Sequence, residues 1–196
     1  GMPLTLANMP RNTEVCILEL GMNSPGEIRR LSKIAHPDIA IITNTGSAHS
    51  ANFKDVKDIA EEKSEIFSFF KTNSIAMIPS ESDYYDLMYK KASKRTEKIY
   101  SFGYDKKSNL RIFKKNSIWK FSVLDEEIEF KKDISFINWD INVLLILGLM
   151  KILNLNLKKV VPILKRLHPI PGRGKTTQIV FKNKSFTLID ESYNSN

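Results

Sequence analysis

The chain has 196 residues, 42% of them hydrophobic and 27% charged, with a formal net charge of +8. That composition fits one globular domain with a real core and excludes disordered and collagen-like classes. The positive balance suits nucleic acid or small anions such as nucleotides. The lysines, however, come as scattered pairs (Lys90-Lys91, Lys106-Lys107, Lys114-Lys115, Lys131-Lys132, Lys158-Lys159) rather than as a block, which reads as a solvated surface.

Residues 1–13 read as an entering loop. The apolar run 15–20 reads as a first buried strand, with the lone cysteine, Cys16, as an inert thiol inside it. Pro25-Gly26-Glu27 opens a helix running to about Ala35, with proline early and a carboxylate in the first turn. Pro37-Asp38 is a turn, and 39–43 a second strand. Val56, Ile59, Ala60, Ile66, Phe67 and Phe70 recur at helical spacing, so 54–70 reads as a helix. Residues 74–79 form a third strand, 84–92 a helix and 98–102 a fourth strand. Strands alternating with helices imply parallel βαβ units, an α/β fold with a mostly parallel Rossmann-like sheet.

After Gly103 the pattern changes. The short runs 110–113, 118–123 and 127–130, broken by polar turns, read as a small antiparallel meander. Residues 137–153 and 157–167 read as apolar helices. Residues 177–181 and 186–190 pair around a turn at Asn183-Lys184. The longest apolar run, 141–150, is too short to span a bilayer. Residues 2–6 lack the basic n-region of a secretory signal. With a single cysteine, a cytoplasmic setting is expected.

Ligands of an open parallel sheet bind outside the carboxyl ends of its strands. Glu19, Asn44 and His49 follow two predicted strand ends and would converge on one crevice. Glu19 reads equally as a Mg²⁺ ligand, since Mg²⁺ takes oxygen donors, or as a solvated carboxylate. A lone histidine such as His49 is more often structural. His36 and His168, each before a proline, read as structural. Lys63 falls on the same helix face as Ile59 and Ile66. It is either a lysine snorkelling to water or a buried amine of lowered pKa able to take up CO₂ as a carbamate. Asn23, Asn44 and Glu65 would orient this set or cap elements. Arg173-Gly174-Lys175-Thr176 mimics the end of a phosphate-binding loop. It is rejected because Pro169 stands where the first glycine belongs, no strand precedes it and no helix follows.

Two long motifs carry a family resemblance. The first is Glu19-Leu20-Gly21-Met22-Asn23-Ser24-Pro25-Gly26-Glu27-Ile28, continued by Pro37-Asp38, Ile42-Thr43-Asn44, Ala48-His49, Ile59-Ala60 and Lys63-Ser64-Glu65-Ile66. The second is Pro171-Gly172-Arg173-Gly174 with Ile189-Asp190-Glu191-Ser192-Tyr193-Asn194-Ser195-Asn196. Together they resemble the central ATPase domain of the Mur ligases, in the branch that adds D-alanyl-D-alanine to UDP-N-acetylmuramoyl-tripeptide. Residues 80–135 match only in general layout. The resemblance implies an ATP-dependent amide ligase working through an acyl phosphate. It implies Mg²⁺ held by Glu19, His49 and a carbamylated Lys63. It further implies Arg173 at the nucleotide phosphates, Asp190 at the ribose hydroxyls, and Tyr193 and Asn194 at a hinge.

Two segments depart from the family pattern. At 137–142 only Asn142 aligns with the expected adenine-side helix start, so Asn142 is the adenine candidate. Pro79-Ser80-Glu81-Ser82 departs from the usual Asn-x-Asp. The family's phosphate-binding loop, expected upstream of Glu19, is not among these residues. The chain therefore reads as a central piece of a longer monomeric enzyme, inactive alone, with its UDP-sugar and C-terminal domains elsewhere. The alternatives are a sister ligase of the Mur or folylpolyglutamate type, a non-catalytic nucleotide-binding module, or a basic nucleic-acid binder. Only the net charge supports the last.

Overall fold

The computed structural model describes residues 1–46, 52–115, 118–131, 139–164, 166 and 170–193. The chain divides into two compact units, Gly1–Ser101 and Phe102–Asn196. Among the described residues the first six strands hydrogen-bond in chain order, and the last two form a separate two-stranded sheet.

The first unit opens on helix α1 (Met2–Ala7), where an entering loop was expected. The Gly1 carbonyl accepts from Leu4 and Thr5, and Pro3 in the first turn tolerates the missing donor. Helix α2 (Glu27–Ala35), strand β1 (Ile39–Ile41) and helix α3 (Val56–Ser64) follow. Asp55 caps α3 by accepting from the Asp58 amide at 2.9 Å. The predicted helix through residue 70 instead tightens to a 3₁₀ turn at Glu65–Phe67. Strand β2 (Ile75–Pro79), helix α4 (Tyr85–Ser93) and strand β3 (Ile99–Gly103) complete the βαβ run. β1 and β2 are parallel, with Ile39 opposite Ile75 and Ile41 opposite Met77. Apolar residues from the strands and helices fill one core of Ala40, Ile42, Phe67, Ala76, Ile78, Met88 and Ala92. A smaller cluster of Met22, Ile28, Phe53 and Ile59 seats α2 and α3.

The expected first strand, 15–20, does not form. Its residues form no ladder, and Cys16 is exposed rather than buried. Val15 and Ile17 are 60% and 85% exposed. A strand exists only where its backbone groups find a neighbour, and β1 pairs with β2 alone among the described residues. Glu19 accordingly lies in an irregular stretch rather than at a strand end.

In the second unit β4 (Leu110–Lys115), β5 (Ile118–Val123) and β6 (Glu126–Lys131) form the expected antiparallel meander. β4 also runs parallel to the end of β3, Phe102 opposite Leu110. Alternate residues of β5, Trp119, Phe121 and Val123, are buried, the period of a sheet with one covered face. Helix α5 (Asp140–Ile152) supplies that cover, packing on β4 and β5. Helix α6 (Leu157–Leu164) packs on α5. Strands β7 (Lys175–Phe181) and β8 (Lys184–Asp190) are longer than predicted. Their turn is Lys182-Asn183, both at positive φ (45° and 60°), as a two-residue hairpin requires. Among the described residues no helix is long and apolar enough to cross a membrane.

Candidate functional site

Three segments of the first unit converge around the end of α3. Glu27 turns back on its own loop and accepts from the Asn23 and Ser24 amides at 2.7 and 3.4 Å. Those amides hold its carboxyl below the usual carboxylate range. Gly26, at φ 87°, caps α2 without a side chain and so cannot supply the usual acceptor to the first amides of the helix. Glu62, from the last turn of α3, supplies it. Its two oxygens accept from the Gly26 and Ile28 amides, each at 2.8 Å, and the residue is only 8% exposed. An anion at a helix N-terminus is further favoured by the helix dipole.

Lys63 follows in sequence. It is half-buried, and its amine donates to the Asn44 carbonyl at 2.7 Å and to Asn44 Oδ1 at 3.2 Å. Burial lowers the pKa of this amine, because a desolvated ammonium is disfavoured against its neutral form. The helix face predicted for Lys63 is thus half-buried, and Asn44 is its hydrogen-bond partner. Thr45, just beyond, bonds Ser82 Oγ at 2.7 Å and ties the loop after β1 to the loop after β2. Asn52 Nδ2 donates to the Asn23 carbonyl at 2.9 Å, tying the approach to α3 to the loop before α2. His49 lies outside the described residues.

Glu65 is a hub. Desolvation would raise its pKa, but hydrogen bonds from Lys91, Ser68 and Arg29 outweigh burial and hold it at about 2. The ion pairs measure 2.7 Å to Lys91 and 2.8 Å to Arg29. Helices α2, α3 and α4 are thereby joined at one carboxylate. A cleft of about 300 Å³ is lined by Pro25, Phe53, Asp58, Glu62, Glu65 and Lys91, among others. Neither Lys63 nor Glu19 lines it. Among the described residues no group of three His, Cys, Asp or Glu side chains is placed to hold a metal ion.

The second unit carries the other set. Asp190, at the end of β8, accepts from the Gly172 amide at 2.9 Å and from the Ser192 amide and hydroxyl at 3.1 and 2.6 Å. These bonds, led by the Ser192 hydroxyl, lower its pKa. The Arg173 guanidinium lies over the Tyr193 ring, 4.3 Å from its centroid. The Tyr193 amide returns to the Gly172 carbonyl at 3.0 Å. Gly172 has φ 79°, and a Cβ there would lie 2.8 Å from Tyr193 Cβ. Only glycine meets both demands without strain. Asn142 is exposed on the first turn of α5. Beside it, the Tyr104 hydroxyl donates to the buried Asp140. Asn194 lies outside the described residues.

Glu62 and the Thr45–Ser82 bond were not anticipated from sequence. The capless Gly26 was the available signal for the first, since an uncapped helix start needs an acceptor from elsewhere.

Residues 1–155 match the model of the Mur ligase middle domain. The UDP-N-acetylmuramoyl-tripeptide–D-alanyl-D-alanine ligase of Buchnera aphidicola (subspecies Baizongia pistaciae) is 32% identical over 202 residues, covering all of this chain and 43% of its own length. A crystal structure of MurF from Acinetobacter baumannii superposes with a TM-score of 0.84 at 23% identity, over 99% of this chain and 42% of that one. The MurF ligase of Thermotoga maritima in complex with ADP gives 0.79 at 25% identity, over 98% and 44%. The chain thus spans less than half the length of these relatives.

Proposed function

The chain belongs to the Mur ligase family, and from that premise we propose that it is the central segment of an ATP-dependent ligase joining D-alanyl-D-alanine to UDP-N-acetylmuramoyl-tripeptide. The observation that carries this reading is the Lys63 amine, half-buried and hydrogen-bonded to both oxygens of Asn44, in a chain 32% identical over its whole length to a relative of that name.

In this reading the terminal carboxylate of the tripeptide takes the γ-phosphoryl group of ATP. The amine of D-alanyl-D-alanine attacks the resulting acyl phosphate, the new amide bond forms and phosphate leaves. The residues of this chain prepare that chemistry. Burial shifts Lys63 toward its neutral form, whose nitrogen lone pair adds to CO₂ while a proton leaves to solvent. The carbamate so formed is an anion with two oxygen donors. Asn44 fixes the direction in which the Lys63 chain extends. Glu19, His49 and the Lys63 carbamate would hold Mg²⁺, and this oxygen-rich set suits a hard cation. Bound there, Mg²⁺ supplies charge neutralisation at the transferring phosphoryl group. In the second unit Arg173 reaches the nucleotide phosphates, Asp190 accepts from ribose hydroxyls, and Asn142 faces adenine. Tyr193 and Asn194 form the hinge that follows.

Phosphate release by the full-length polypeptide tests this, with ATP, Mg²⁺, UDP-N-acetylmuramoyl-tripeptide and D-alanyl-D-alanine each omitted in turn. Release that needs all four is the expected result. Release that persists without D-alanyl-D-alanine points to another amine acceptor. No release under any combination removes the ligase reading.

A further inference from the structure

We infer that Glu62 is a positioning residue of the reaction, fixing the helix that carries Lys63 against the loop that carries Glu19; this rests on the role given to Lys63 above. The inference starts from a mismatch between two short helices. The start of α2 has no local cap, because Gly26 offers no side chain. The end of α3 passes into a 3₁₀ turn at Glu65–Phe67, so the helix alone does not fix the orientation of its last turn. One carboxylate resolves both. Glu62 accepts from Gly26 and Ile28, 36 and 34 positions away in sequence, with both bonds at 2.8 Å.

The clamp is stiff for a physical reason. A buried carboxylate that loses its donors is costly, so α3 cannot turn about its axis without breaking two strong bonds together. Lys63 is the next residue, and its amine has a defined pair of acceptors on Asn44. The loop on the other side of the clamp is itself closed by Glu27 on Asn23 and Ser24, and it leads back to Glu19. Asn52 joins the same loop from the segment that follows His49. Lys63 and Glu19 thus sit on segments that meet at this carboxylate or its immediate loop. Glu62 itself is spent on two amides and touches no reacting atom.

The test uses the full-length polypeptide and Glu62→Gln, which keeps the shape but offers one acceptor oxygen to two amides. Turnover number should fall about tenfold or more, the range found for groups that orient metal ligands from behind. KM for ATP should hold, because the proposed nucleotide contacts lie in the other unit. The ¹³C carbamate resonance of Lys63, raised with ¹³C-bicarbonate, should weaken or broaden. If Glu62→Gln does not fold, Glu62→Asp, which withdraws the carboxylate from one amide, carries the same test. Normal turnover and an unchanged carbamate signal, with only a lowered Tm, would overturn the inference and leave Glu62 as a helix cap. Lys63→Ala separates the two readings. If Lys63→Ala is inactive while Glu62→Gln is normal, the inference alone fails. If Lys63→Ala keeps full turnover, the role of Lys63 fails and the inference falls with it.

Discussion

The two units hold their candidate residues in opposite ways. Around Lys63, the bonds join residues far apart in sequence: Glu62 to Gly26, Arg29 to Glu65, Lys91 to Glu65, Thr45 to Ser82. Each spans at least 26 positions. Around Asp190 and Arg173, the bonds are local to one hairpin and its flanks, with Asp190 reaching Ser192 and Gly172. The hairpin side chains are also exposed, Val180 at 73% and Phe181 at 62%. A site tied together from distant segments exists only when the whole unit is folded. A site built on a hairpin adjusts locally, because few buried contacts oppose its movement.

Stability separates the two units most sharply. Phe67→Ala, at a side chain 1% exposed in the first core, should cost about 3 to 5 kcal/mol. Phe181→Ala, on the exposed hairpin, should fall within about 0.5 kcal/mol. Urea unfolding of both variants checks this, and equal costs would erase the distinction. Next in size, Lys63→Ala in the full-length polypeptide should lower turnover about 10²- to 10³-fold, as loss of a preorganised charge-stabilising group does, with the fold intact by circular dichroism.

A smaller effect is expected in acid. The folded pKa of Glu65, about 2, lies below its unfolded value of 4.5. Its hydrogen bonds therefore stabilise the fold fully above pH 4.5, and that contribution is lost as pH falls through about 2. After discounting for the solvent that reaches Arg29, the contribution is about 1 to 2 kcal/mol. Glu65→Gln should flatten the stability profile between those limits, and an unchanged profile would remove Glu65 as the joint between α2, α3 and α4. The smallest effect belongs to the hairpin. Tyr193→Leu should weaken nucleotide binding by about two- to fivefold, the worth of an exposed cation–π contact, while Tyr193→Phe retains it. Titration with ADP reads the difference.

What the sequence made legible follows from the same division. The alternating strands and helices, the meander and the hairpin each announce themselves through local periodicity and turn residues, and those elements are present. The apolar run at 15–20 carries the same signal yet forms no strand. Strand formation depends on a neighbour, and composition does not reveal whether one is there. Lys63 was legible as an amine on an inward face because helical spacing relative to Ile59 and Ile66 is local information. Its acceptor, Asn44, and the Glu62 clamp were not, because they depend on which distant backbone arrives beside them. Arg173 and Asp190 were singled out through motif resemblance alone, whereas the stacking of Arg173 on Tyr193 depends on how Gly172 folds the loop back.

In the proposed reaction Glu19, His49 and Lys63 hold divalent cations for phosphoryl transfer. The most direct measurement is anomalous diffraction from crystals of the full-length polypeptide grown with Mn²⁺ and a nonhydrolysable ATP analogue. The expected result is an anomalous peak within coordination distance of Glu19, His49 and a carbamate on Lys63. A peak elsewhere, or an unmodified Lys63 still bonded to Asn44 with the nucleotide bound, would contradict it.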